Sequence, residues 1–117
     1  MRRTVLIVDD HADFRRSAGA MLEVDGFAVV GEAADGAAAL AMLAAVHPDV
    51  VLLDVQLPGI DGFEVAALLA DGLDPPVVVL VSSRDADSYG PRLRESPVQG
   101  FIGKSDLSGA ALMAVLR

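Results

Sequence analysis

Apolar residues cluster into five short runs, at positions 5–8, 27–31, 50–53, 77–81 and 99–103, and return at helical spacing between them. The runs are mostly continuous rather than alternating, the pattern of strands buried on both faces. The fourth, Val77, Val78, Val79, Leu80 and Val81, is the most β-branched and follows a Pro75-Pro76 break. After the first run, Phe14, Ala18, Met21 and Leu22 share one helical face. Asp13 lies in the first turn, where the helix dipole favours an acid, and Asp25-Gly26 ends the segment. Asp35 is placed to cap an alanine-rich helix through Leu40 and Leu43 to His47, a helix C-terminal position that suits the dipole, and Pro48 stops it.

Asp61 and Glu64 have the spacing of a capping box and open a third helix that Asp71-Gly72 closes. Leu107, Ala111, Leu112, Val115 and Leu116 form the apolar face of a last helix, with Ser105 or Asp106 expected to cap it. Only residues 84–97 break the rhythm, because Gly90-Pro91 interrupts the helix and Pro97 limits its other end, so a short or irregular fourth helix is expected. Five β-α units in sequence argue for an α/β fold, a parallel sheet with helices on both faces.

The chemistry lies where the runs stop. The first stops at Asp9 and Asp10, the third at Asp54, the fourth at Ser82-Ser83, and the fifth leads to Lys104. In a parallel sheet ligands gather beyond the carboxyl ends of the strands, so these residues converge at one mouth. Two carboxylates about 4 Å apart repel by ~4 kcal/mol at an effective dielectric of 20, so three together favour a divalent cation or protonation. Mg2+ suits an all-oxygen set that also meets phosphate. A carboxylate beside that ion, an ammonium and a hydroxyl can attack a phosphoryl group, because the cations offset charge spreading over the phosphoryl oxygens. Asp54 stands alone on its strand and is the nucleophile candidate; Asp9 and Asp10 are paired, as a metal site requires.

Composition narrows the partners. A chain of 117 residues fits one domain, expected over 1–117, with no room for a separate output module. It has no cysteine, which removes disulfides, thiolate catalysis and cysteine-ligated zinc. Its net charge of −8 gives no electrostatic basis for binding nucleic acid directly, and most of the 17 acids serve solubility. No apolar run approaches the ~20 residues of a membrane span, and Arg2-Arg3 lead straight into a strand rather than a long signal-peptide core, so a cytoplasmic location is expected.

Taken together, the Val8-Asp9-Asp10 opening, the D-x-x-x-P-G-x-D-G of residues 54–62, the Ser82-Ser83 strand end and the G-F-I-G-K of residues 100–104 resemble the receiver domains of two-component response regulators. The resemblance covers essentially the whole chain. It implies a flavodoxin-like fold with sheet order 2-1-3-4-5. It also implies that Asp54 accepts phosphoryl from a sensor histidine kinase or small phosphodonor, and that Asp10, Asp54 and the backbone carbonyl of Gln56 bind Mg2+ while Asp9 acts through metal-bound water. Lys104 would pair with the phosphoryl oxygens, Ser82 would move to hydrogen-bond them, and Phe101 would be the aromatic whose rotamer follows. Gln56 and Arg84 occupy positions that tune phosphoryl lifetime in the family. The signalling face would be the fourth helix, fifth strand and last helix.

Two departures stand out: Ser105 follows Lys104 where the family usually has proline, so a trans bond is expected, and the fourth helix is broken. A hydrogen bond to a charged group contributes about 1.5 to 3 kcal/mol, whereas a shift from 1:99 to 99:1 needs about 5.5 kcal/mol. Partner binding or homodimerisation is therefore expected to complete the switch. His11 is read as a polar first-turn residue rather than a ligand, and Tyr89, the sole tyrosine, has no assigned role.

Three other classes fit the residues less well. An aspartate-nucleophile phosphohydrolase of the haloacid-dehalogenase type needs a second acid two residues after the nucleophile, where Gln56 stands. A nucleotide binder would show a G-x-G-x-x-G or Walker loop after the first strand, which reads VDDHADF. A non-phosphorylated pseudo-receiver, used only as an interaction module, is disfavoured by the presence of all five site residues. The Asp9-Asp10-His11 opening resembles receivers joined to DNA-binding helix-turn-helix domains, so DNA would be reached only through such an output domain; none lies within these residues.

Overall fold

All five apolar runs form strands in the computed structural model, which describes residues 2–117: β1 (Thr4–Val8), β2 (Ala28–Ala33), β3 (Val50–Asp54), β4 (Val77–Ser82) and β5 (Gly100–Gly103). The expected single domain over 1–117 includes Met1, which lies outside the described residues. Between the strands run α1 (Ala12–Val24), α2 (Gly36–Val46), α3 (Gly62–Ala70) and α4 (Pro91–Glu95), and α5 (Gly109–Leu116) follows β5. The sheet is parallel throughout with order β2-β1-β3-β4-β5. The chain leaves β1 toward one edge and returns through β3 toward the other, so a crevice opens at the carboxyl ends of these two strands.

β3 is central, and all five of its residues are buried. Strand alternation splits the core in two. Val5, Ile7, Val50, Leu52, Val79 and Val81 pack with Ala18 and Leu22 of α1 and Leu112 of α5, while Leu6, Val8, Val51, Leu53 and Leu80 pack with Phe63, Val65, Ala66 and Leu69 of α3 and Ala39 of α2. Burying each such valine, leucine, isoleucine or phenylalanine contributes about 1.5 to 3 kcal/mol, which fixes the register and hence what each strand delivers to its end.

Helix starts follow the capping residues. The Asp35 side chain accepts from the Ala38 N–H at 2.7 Å, and Asp61 with Glu64 forms both halves of the expected capping box. The last helix corrects the expectation of a Ser105 or Asp106 cap. Lys104–Asp106 is spent on a single 3-10 turn and Leu107 is extended, so α5 begins after Ser108, whose hydroxyl accepts from the Ala111 N–H at 2.9 Å. Asp25 Oδ2 caps the same end from 84 residues away, accepting from the Gly109 N–H at 2.9 Å. Strand bounds shift by small amounts: Phe27 precedes β2 and fills the core, β2 extends to Ala33, and β5 starts at Gly100.

Residues 83–97 are irregular, as the glycine and prolines require. A 3-10 turn at Ala86–Ser88 leads to Gly90, whose φ of 53° lies in the left-handed region that favours glycine, and α4 is five residues long. There is no cis peptide among the described residues. No helix among them is long and apolar enough to cross a membrane.

Candidate functional site

Asp54 is the last residue of β3 and only 3% exposed. The strand fixes it, and so does the turn beyond: Val55 N–H donates to Val81 O at 3.0 Å, and Gly62 N–H donates back to Val55 O at 2.8 Å. Gly62 opens α3 against this turn so closely that a Cβ there would strike the Asp54 carbonyl oxygen and the Val55 Cα. The carboxylate accepts from the Gln56 N–H at 3.4 Å on Oδ1, and Lys104 Nζ lies 3.5 Å from Oδ2.

β1 brings two more acids to the same mouth. Asp9 is fully buried, and its Oδ1 accepts from the His11 N–H at 2.8 Å. Lys104 Nζ stands 2.6 Å from Asp9 Oδ2, but out of line for a hydrogen bond, so this oxygen has a charge contact and no aligned donor. The ammonium also lies 4.5 Å from the centroid of the Phe14 ring in α1. Asp10 is more open, its side chain 38% exposed. His11 is the N-cap of α1 and lies near the acids with its side chain exposed: its Nδ1 is 3.1 Å from an oxygen of Asp9 and 3.1 Å from one of Asp10. One ligand atom each from Asp9, Asp10, His11 and Asp54 lie within 4.8 Å of one another.

Burial, and after it the crowding of like charge, governs protonation here. Burial and, after it, the Asp9 carboxylate push the Asp54 carboxyl up to about 6 from 3.8, against the opposing pull of Lys104 and the Gln56 N–H. Burial also works against the Lys104 ammonium, but the Asp9 and Asp54 carboxylates outweigh it and raise Lys104 above its ordinary value. A lysine stays charged between two acids, and one acid titrates near neutrality. Such an arrangement can hold a divalent cation among hard oxygens and present a carboxylate as a nucleophile.

The remaining sequence-picked residues lie around this centre. Ser82 ends β4, 1% exposed, with the parity of Leu80, so it faces the α3 and α4 side. Its Oγ meets the Tyr89 hydroxyl at 2.5 Å and accepts from the Arg84 N–H at 3.0 Å. Phe101, half-buried on β5, packs on Tyr89 with ring centroids 6.0 Å apart. The residues Gln56 and Arg84 are exposed. Sequence reasoning missed Tyr89 and Arg92. Tyr89 touches Phe63 edge-on at 5.5 Å, and Arg92 reaches Asp61 at 2.8 Å with its guanidinium 4.5 Å from the Phe63 ring centre. Both come from the segment without apolar periodicity, so their only signal was an aromatic and a cation near the Gly90-Pro91 break. An open groove of about 500 Å³ beside Leu43, Leu69, Pro75 and Val77 lies at the opposite ends of the strands.

The profile of the response regulator receiver domain matches residues 5–117. NarL of Mycobacterium tuberculosis, a transcriptional regulatory protein, is 39% identical over 113 residues, which is 96% of this chain and 52% of that protein. PdtaR, a transcriptional regulatory protein of the same organism, is 35% identical over 119 residues, 98% of this chain and 58% of that protein. A protein-glutamate methylesterase/protein-glutamine glutaminase of Anaeromyxobacter dehalogenans is 42% identical over 114 residues, 94% of this chain and 32% of that protein. The chain thus spans little more than half the length of these relatives, or less. The solved signal receiver domain of NarL from Mycobacterium tuberculosis superposes with a TM-score of 0.85 at 35% identity, covering 98% of this chain and 97% of that one.

Proposed function

The chain belongs to the response regulator receiver domain family, and from that premise we propose that Asp54 is its phosphoacceptor, loaded by a sensor histidine kinase or a small phosphodonor with Mg2+. The observation that carries the reading is one buried carboxylate at the end of the central strand, with two further carboxylates and one ammonium gathered around it.

The donor set fits a hard divalent ion: Asp9, Asp10 and Asp54 supply oxygens, Asp9 Oδ2 is buried without an aligned donor, and the acids repel one another. Asp10, Asp54 and the Gln56 carbonyl would hold Mg2+ directly, with Asp9 acting through its water. Bound there, the ion supplies positive charge that lowers the Asp54 pKa and offsets charge building on the phosphoryl oxygens. The rest of the chemistry belongs to the chain. Ionised Asp54 attacks phosphorus while the bond to the donor nitrogen or oxygen breaks, and the electron pair leaves with the donor. Lys104, 3.5 Å from Asp54 Oδ2, is placed to follow the new charge from Asp9 to the phosphoryl oxygens. Ser82 donates its hydroxyl proton to the same group, Phe101 adjusts beside it, and Gln56 and Arg84 at the rim set how readily water reaches the acyl phosphate.

On this reading the chain is a cytoplasmic signalling module, a single domain over 1–117, that catalyses no more than its own phosphorylation and dephosphorylation. The signal leaves through α4, β5 and α5, completed by a partner or a second copy. DNA would be reached only through a separate output domain. The test is intact mass after incubation with acetyl phosphate and Mg2+. A gain of one phosphoryl group, abolished by chelation and by Asp54→Ala, is expected. No gain with either acetyl phosphate or active histidine kinases would leave an unphosphorylated interaction module instead.

A further inference from the structure

No motif includes Tyr89, yet its hydroxyl meets Ser82, the residue that would move toward the phosphoryl group. Ser82 Oγ is buried and has two partners among the described residues. The Arg84 N–H, at 3.0 Å, can only donate. The Tyr89 hydroxyl, at 2.5 Å, can donate or accept. A serine hydroxyl carries one proton, and a buried one needs an acceptor. Tyr89 supplies the acceptor oxygen, and its own proton can face the open side of a half-buried ring.

We propose that Tyr89 is the positioning residue of the phosphoryl switch in this chain: its oxygen holds the single Ser82 proton at rest and loses it when a phosphoryl group forms on Asp54. The inference rests on Asp54 being the phosphoacceptor. A phosphoryl oxygen is an anionic acceptor, and charge-assisted hydrogen bonds are roughly twice as strong as neutral ones, so one proton claimed by both goes to the phosphoryl group. The consequence reaches the surface because Tyr89 is an anchor. The 3-10 turn Ala86–Ser88 and α4 contain no buried residue. The segment is held by the Tyr89 hydroxyl on Ser82, by its ring between Phe63 and Phe101, by Arg92 on Asp61 and Phe63, and by Leu93 against the core. Losing the Ser82 bond removes one of these few attachments and loosens the part of the chain that faces a partner. Phe101 lacks a hydroxyl and follows through its contact with the Tyr89 ring.

The protein reports on this directly, since it has one tyrosine and no tryptophan. Its near-ultraviolet absorption and emission on the long-wavelength side of the four phenylalanines belong to Tyr89 and respond to the hydrogen bond at the phenol. With acetyl phosphate and Mg2+, the tyrosine spectrum is expected to shift in step with the mass gain. Ser82→Ala, with no donor present, should already show a spectrum shifted in the same direction. Tyr89→Phe keeps the ring and removes the competing acceptor, so the steady-state fraction phosphorylated at limiting donor should rise about two- to tenfold. A phosphorylated wild type with an unchanged tyrosine spectrum overturns the inference and leaves the phosphoacceptor reading intact; so does a Tyr89→Phe variant phosphorylated to the wild-type extent. Absence of any mass gain overturns the phosphoacceptor reading and this inference with it.

Discussion

Asp54 faces opposed demands: it must be ionised to attack phosphorus, yet burial and Asp9 push its carboxyl up to about 6. The folded value lies above the unfolded value of 3.8, so the native chain binds more protons than the unfolded one between them. The contribution of Asp54 to metal-free stability is therefore full below about pH 4 and is lost as pH rises through about 6. Asp54→Asn removes the buried charge and should stabilise the metal-free protein at pH 7.5 by about 1 to 3 kcal/mol, with the gain vanishing near pH 4. Urea denaturation at the two pH values checks the sign. The acids and the lysine were legible in the sequence because each directly follows an apolar run, and a parallel sheet aligns such positions. Tyr89 was not, since its contact with Ser82 depends on how an irregular seven-residue excursion folds back, which periodicity does not encode.

At the scale of elements, the unit of β3, the turn after it and α3 both builds and braces the site. Asp61 caps α3, completes the capping box with Glu64 and holds Arg92 of α4 at 2.8 Å. Asp61→Ala loses all three and should cost about 1 to 2 kcal/mol, most of it the cap. Amide exchange across residues 91–95 should quicken at the same time, which a cap acting on α3 alone would not cause. The capping box was readable because it is local in sequence. The start of α5 was not: a 3-10 turn consumes Ser105 and Asp106, and Asp25 from the end of α1 fixes the first turn from 84 residues away. Local propensity yields here to a tertiary contact.

The whole molecule is two half-cores clamped on one sheet, 34 × 29 × 28 Å, with the acidic mouth at one end. A chain of net charge −8 that collects three carboxylates at one point gives up stability for that site, and a cation should restore it. At pH 7.5, Mg2+ at ten times its dissociation constant should raise Tm by roughly 4 to 8 °C, and Asp54→Asn should shrink the rise. The parallel sheet and both helical layers were legible in five buried runs and the helical segments between them, and the sheet order in the family resemblance; the segment leading to α4, which the sequence marks as broken, and the start of α5 needed coordinates. The central claim is that the phosphoryl group sits on Asp54 and not on its neighbours. Borohydride converts an acyl phosphate to an alcohol, so peptide mapping of the phosphorylated and reduced protein tests that claim most directly. Homoserine in place of Asp54 is the result expected, and reduction at Asp9 or Asp10 with Asp54 intact would contradict it.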